Sequence, residues 1–173
     1  FKDATMAVQT QFTIAEAYFE LAKKHRQLKE ESLARRELGQ GRKLMEEALR
    51  ASPDAALRAQ GEYLLANLTF EFAQLAENED IKKQGFQEAL SRFNDLVGSY
   101  PDSPYAAKSQ FKKALCLEKM GQMDQACEEY VKLSYRYPDN ELVAETIARL
   151  GQYFMLKGRE FTEKAKAKAD EAK

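Results

Sequence analysis

Few side chains in this sequence are of the types that do chemistry, and their spacing does not assemble them. The single histidine, His25, lies between Lys24 and Arg26. No serine or cysteine is placed to be activated by it as a nucleophile, so it reads as a solvated surface residue. Cys116 and Cys127 are eleven residues apart, without metal-ligand spacing. They read as two buried, inert thiols or, alternatively, as a disulfide across a helix pair. The neighbours Glu46 and Glu47, and Glu128 and Glu129, point in different directions on a helix and cannot share one proton site, so charge here reads mostly as a solvated face. There is no glycine-rich phosphate loop, histidine-glutamate zinc motif or calcium loop. No catalytic residue, metal ligand or cofactor site is therefore expected.

Composition narrows the remaining classes. The chain has 173 residues, 44% hydrophobic and 32% charged, with four prolines and eight glycines, and no stretch resembles a linker. Its net charge of -1 divides into +2 for residues 1–53, -4 for 54–101, +1 for 102–138 and 0 beyond. No segment forms the basic footprint that binding to nucleic acid needs. No apolar run approaches the ~20 residues of a membrane span, so direct transmembrane insertion is not expected. The chain begins at Phe1 and enters a helical pattern almost at once, which suggests a piece of a longer protein, with any signal peptide or lipid-attachment cysteine upstream.

Those residues must be positioned by helices. Apolar residues recur at three and four positions nearly throughout, and no segment alternates as a half-buried strand does. One pattern occurs three times: a small residue, a bulky one four later, and a proline twelve after the small one. It reads Gly41, Met45, Pro53, then Ala89, Phe93, Pro101, then Ala126, Tyr130, Pro138. Such self-similarity marks a repeat architecture, in which each unit buries its apolar face by stacking on its neighbours. The expected helices run near 4–27, 31–52, 54–77, 80–98, 103–120, 123–136 and 140–157, with a short terminal helix from 159. The first turn is open to a second placement, at Gly39 and Gly41. Asp54, Ser103 and Asp139 or Asn140 are candidate N-caps, and Gly121 and Gly158 candidate C-caps. Pro53 and Pro101 are 48 residues apart but Pro101 and Pro138 only 37. The excess is close to three helical turns, so the hairpins of units one and two should be longer while keeping their inward face in phase.

Leu150, Gly151 and Phe154, with Ile147 before them, fall on the opening positions of the tetratricopeptide signature, and Ala126, Tyr130 and Pro138 on its closing ones. Ile14, Ala15 and Tyr18, Leu65, Ala66 and Thr69, and Ala114 and Leu117 echo the opening. The chain thus resembles the tetratricopeptide repeat proteins, which implies an all-α, right-handed superhelical solenoid of about 3.5 repeats. Its units would be approximately 1–53, 54–101, 102–138 and 139–173 of a single domain, with Gly151 at a close helix crossing. Lys113 stands where the pattern has leucine. The run Tyr100-Pro101-Asp102-Ser103-Pro104-Tyr105-Ala106-Ala107 and its echo Tyr137-Pro138-Asp139 resemble the bacterial envelope subtype of this repeat. That subtype occurs in BamD-type outer-membrane assembly lipoproteins and in the periplasmic coordinator of the Tol-Pal system. This likeness implies a periplasmic or outer-membrane-associated location, with a cytoplasmic one as the alternative.

In that family the first helix of each pair lines a concave groove, at positions flanking the small residue. Here those positions include Phe12, Phe19, Tyr63, Asn67, Phe70, Phe111, Leu115, Glu118, Gln152 and Met155. The resemblance implies a non-catalytic scaffold that binds a protein or peptide partner, and the aromatic row as a whole suits capture of an extended or helical segment, while any single ring at this spacing also reads as ordinary core. A clamp for a peptide carboxylate is not expected, because Glu16, Glu20, Glu71 and Glu118 lie in the same region. The alternatives are a structural or self-assembly module of a larger protein and, with least support, an enzyme whose site sequence order hides. Oligomeric state is not encoded in any motif. The Lys/Ala-rich end from Lys164 to Lys173 reads as a solvated helix or linker. A circular dichroism spectrum of roughly three quarters helix without sheet is expected, well above an average domain.

Overall fold

The computed structural model describes residues 2–51 and 55–171. Seven helices follow one another: α1 (Lys2–Gln27), α2 (Glu31–Ala51), α3 (Ala55–Gln74), α4 (Glu79–Ser99), α5 (Ala106–Lys119), α6 (Met123–Arg136) and α7 (Leu142–Glu171). There is no strand among the described residues. Each helix packs on its predecessor and successor, and α1 also touches α3 as α5 touches α7. This is an all-α solenoid of antiparallel pairs. Helices α1 to α4 have 20 to 26 residues while α5 and α6 have 14 each, so the first two hairpins are the long ones.

The repeated small and bulky positions form the core. Ala15, Ala66, Ala89, Ala114 and Ala126 are fully buried, and so are Met45, Phe93 and Tyr130. Three apolar layers result, one around Phe12, Leu38 and Leu68, one around Phe70, Phe86 and Phe93, and one around Phe111, Tyr130 and Leu133. Gly41 replaces alanine for a visible reason. A Cβ there would lie 3.1 Å from Leu68 Cδ2 and 3.3 Å from Tyr18 Cβ, because α2 crosses α1 and α3 closely at that point.

The turns explain where the helices stop. The first turn falls at residues 28–30, with Lys29 at φ 62°, and Gly39 and Gly41 lie inside α2. At Tyr100 and Tyr137 the backbone leaves the helix in the same way, with φ and ψ of -134° and 56° and of -132° and 57°, because the following proline disfavours the helical conformation. The Tyr137 hydroxyl donates to the Pro101 carbonyl at 3.5 Å, joining one Tyr-Pro turn to the next. Gly121 takes a left-handed conformation at φ 75° and ends α5. Asn140 Oδ1 accepts from Leu142 N at 3.0 Å, as expected of a cap.

Several expectations do not hold. Ser103 is not an N-cap: α5 starts at Ala106, and the Ser103 hydroxyl is buried without a partner. The side-chain cap of α4 is Asn78, which accepts from Asp80 N and Ile81 N. Residues 140–157 and the segment from 159 are not separate helices, since α7 runs unbroken through Gly158. One interior glycine costs only about 1 kcal/mol, and the lysines, alanines and glutamates that follow carry the helix through. Gly151 is not at a crossing either, because a Cβ there meets open space. The caps proposed for Asp54 and the turn at Pro53 lie outside the described residues, as does Lys173.

Packing and helix propensity can be separated at two glycines of α4. A Cβ on Gly85 would lie 2.7 Å from Ala73 Cβ, whereas a Cβ on Gly98 meets nothing. Propensity alone favours alanine at both sites. Gly85→Ala should nevertheless lose about 1–3 kcal/mol, and Gly98→Ala should match or slightly exceed wild type, in urea unfolding midpoints.

Candidate functional site

The first helices α1, α3, α5 and α7 present a common face, and ion pairs stitch it together. Arg26 on α1 pairs with Glu71 on α3. Glu71 also lies 3.7 Å from Lys112 on α5, and Glu118 on α5 pairs with Arg149 on α7 at 2.9 Å. Lys112 and Arg149 hold the same place in their repeats, two residues before the small Ala114 or Gly151. In both repeats that cation reaches back to a glutamate on the preceding first helix.

The same cations cover aromatic rings. Lys112 Nζ lies 4.6 Å from the centre of the Phe70 ring, the Arg149 guanidinium 5.6 Å from that of Phe111, and Lys23 Nζ 5.3 Å from that of Phe19. A cation over a ring face is attracted by the negative π surface. Burial lowers the Lys112 pKa, an effect only partly offset by the Glu71 carboxylate. Burial raises the Tyr130 phenol, and the Glu118 carboxylate that it donates to at 3.0 Å pushes it further in the same direction. The face is thus a ribbon over an aromatic floor in which Glu71 and Glu118 are compensated by cations of neighbouring helices.

The expected groove residues separate into two groups. Phe12, Asn67, Phe70 and Phe111 are buried, the Asn67 amide donating to the Tyr63 carbonyl at 2.9 Å. They belong to the core layers and offer no open contact. Phe19, Tyr63, Leu115 and Glu118 are half-buried, while Gln152 and Met155 are exposed. Tyr63 stacks on Tyr105 with ring centres 5.1 Å apart, and burial raises the pKa of both phenols. The open part of the face therefore consists of Phe19, Leu115, Gln152 and Met155, with Lys23, Lys112 and Arg149 between them.

A second polar cluster lies on the other side of α5. Glu129 is buried and accepts from the Gln110 amide at 2.5 Å, with Lys113 Nζ at 2.9 Å and Lys132 Nζ at 2.7 Å. This accounts for lysine in place of leucine at position 113, and Glu129 is no part of a solvated face. Lys113 and Glu129 help line an open cleft of about 590 Å³ between α4 and α6, together with Leu90, Asn94 and Gln125.

The residues named in the two clusters include no histidine, serine or cysteine. Among the described residues no three or more histidine, cysteine, aspartate and glutamate side chains gather as a metal site would. Cys116 and Cys127 are free and buried, and burial pushes the Cys116 thiol up to about 12, so it stays protonated and inert. His25 is half-buried rather than solvated, with Nδ1 2.7 Å from Glu30 Oε2 across the first turn. None of the described helices is long and apolar enough to cross a membrane.

The sequence pattern singles out neither Arg26, Lys112 and Arg149 nor the Gln110–Lys113–Glu129 cluster as site residues. A usable signal existed in the cation two residues before the small residue in each of the last two first helices. It shows only when the repeats are aligned on their small residues.

Residues 108–140, which cover most of α5 and all of α6, match the model of the tetratricopeptide repeat family. No curated protein matches the chain. Together with the stacked helix pairs, the match identifies the architecture as a tetratricopeptide-type solenoid. Such repeats generally mediate protein–protein interaction and are typically not catalytic.

The Glu129 cluster generates a pH prediction. Burial raises its pKa, but hydrogen bonds from Lys132, Lys113 and Gln110 outweigh this and leave it below the ordinary glutamate value. A depressed carboxylate contributes stability above its unfolded pKa and loses it as pH falls through the folded one. Glu129→Gln should cost about 2 kcal/mol near neutrality by leaving Lys113 without its counter-charge. In urea titrations the gap to wild type should narrow progressively below about pH 4.5.

Proposed function

We infer that the protein is a non-catalytic scaffold that holds an extended or helical segment of another protein along the face of its first helices, in the bacterial cell envelope. The observation that carries this is the ribbon itself. Half-exposed apolar side chains, Phe19 and Leu115, alternate with fixed charges that are already paired within the chain. A partner segment can lay apolar anchors on the former and exchange hydrogen bonds with the latter, without having to neutralise an isolated buried charge. Glu71 and Glu118 are paired with Arg26, Lys112 and Arg149, and Glu20 with Lys23, so most of the negative charge on the face is already compensated within the chain. That favours a segment of mixed composition over a strongly basic one.

The envelope part of the proposal rests on the Tyr-Pro-Asp turns after α4 and α6, whose sequence resembles that of envelope repeat proteins. Fractionation of cells producing the native protein tests the location directly. Recovery in the cytoplasm alone would overturn it.

The binding part is tested by placing a photo-crosslinking residue at Phe19, Leu115 or Gln152, and separately at exposed Lys43 or Ser91 on second helices. Crosslinks to one and the same partner should form at the first three sites and not at the last two. Phe19→Ala with Leu115→Ala should weaken capture of that partner by about 2 kcal/mol or more while helicity is unchanged. Crosslinking confined to Lys43 or Ser91 would move the site to the other side of the solenoid.

A further inference from the structure

The far end of the solenoid holds a feature that neither the core nor the first-helix face uses. Ile147, Gly151, Phe154, Gly158, Phe161 and Ala165 are spaced alternately by four and three residues and so share one side of α7. All six are exposed, and the bulky ones keep most of their surface in water: Ile147 59%, Phe154 61% and Phe161 68%. A Cβ on Gly151 or Gly158 would meet no atom within 4 Å. Within the chain these two interior glycines cost roughly 1 kcal/mol each in helix propensity and relieve no contact. From Arg159 onward every α7 side chain described is exposed.

The order along the stripe is large, small, large, small, large, small. Reversed, it is the complement of itself. In an antiparallel pair with a two-fold axis level with Leu156, Ile147 meets the partner's Ala165, Gly151 the partner's Phe161, and Phe154 the partner's Gly158. Every bulky side chain then faces a notch, as close helix packing requires. A parallel pair in register would set phenylalanine on phenylalanine and glycine on glycine, which leaves both clashes and voids.

The lysines near the far end of α7 meet no like charge in this register: Lys164, Lys166 and Lys168 of one copy come level with the partner's Ala148, Thr146 and Ala144. Beside Phe154 an open, mostly apolar cleft of about 570 Å³ runs between α6 and α7, lined by Cys127, Val131 and Tyr153. The C-terminal half of the partner's α7 would pass along it, covering the end of the third layer.

We propose that this surface takes a second copy of the same chain, and that the protein is a two-fold dimer held by antiparallel pairing of α7. The dimer uses α7 and leaves Phe19 on α1 and Leu115 on α5 open for the partner segment, with two such faces on one particle. It does not depend on that face binding anything.

Sedimentation equilibrium across the micromolar range tests the pairing. Wild type should show a monomer–dimer equilibrium. Gly151→Leu and Gly158→Leu, each filling a notch, should weaken association by about tenfold or more while leaving helicity intact, because both sites face open space in the monomer. A wild type that stays monomeric at the highest concentration overturns the proposal, as does undiminished association of both leucine variants. Orientation is read separately, in a Cys127→Ala background. Gly151→Cys combined with Phe161→Cys should oxidise to a covalent dimer, and Gly151→Cys alone should not. A covalent dimer from the single variant would mean parallel pairing and overturn the register.

Discussion

Close approach of helices at small residues is the constraint on which the rest of this structure depends. None of the three core layers belongs to one hairpin. The first is closed by α3 over α1 and α2, the second by α5 over α3 and α4, and the third by α7 over α5 and α6. Each closure brings a helix down on an alanine or glycine of its neighbours, and a side chain of ordinary size at Ala15, Gly41, Ala66 or Ala114 would hold the layers apart. Because stability in such an array comes from nearest-neighbour interfaces, local errors in packing are felt at the adjacent unit first. The same logic explains why the hairpins can differ in length. What must be kept in phase is the stripe that meets the next layer, while the distal ends are free to grow by whole turns.

Stacking alone would leave helices free to slide and rotate, since apolar contact is not directional. The polar pairs between consecutive first helices supply the missing register. Arg26, Glu71 and Lys112 form a chain over three helices, and Glu118 with Arg149 extends it to the fourth. Partly exposed pairs of this kind contribute little net stability individually. Their effect is to fix which residues lie opposite one another. They also fix which residues stay open, because the cations that bridge the helices roof Phe70 and Phe111.

The last layer shows what happens where the stacking stops. Leu142, Val143 and Leu150 of α7 pack on the third core layer, yet Ile147 and Phe154, which occupy signature positions of the repeat, stand in solvent. Nothing in the chain's described part crosses them. The glycine that is a close-contact residue in the repeat pattern thus becomes, at Gly151, an open notch.

The sequence by itself determined the class and much of the layout. Apolar spacing made the chain helical, and proline after Tyr100 and Tyr137 stopped helices through a local steric effect that needs no tertiary partner. The alanines at fixed offsets announced that helices would cross there. The greater length of the second hairpin followed from distances between prolines alone. Burial of particular rings did not follow, because a ring at helical spacing is open or closed according to what the next helix lays over it. Phe70 and Phe111 are covered by Lys112 and Arg149, whereas Phe19 and Leu115 stay partly open, and only the stacking angle of the layers decides between those outcomes. The same holds for Lys113 and Glu129, sixteen positions apart in the chain and one ion pair in space.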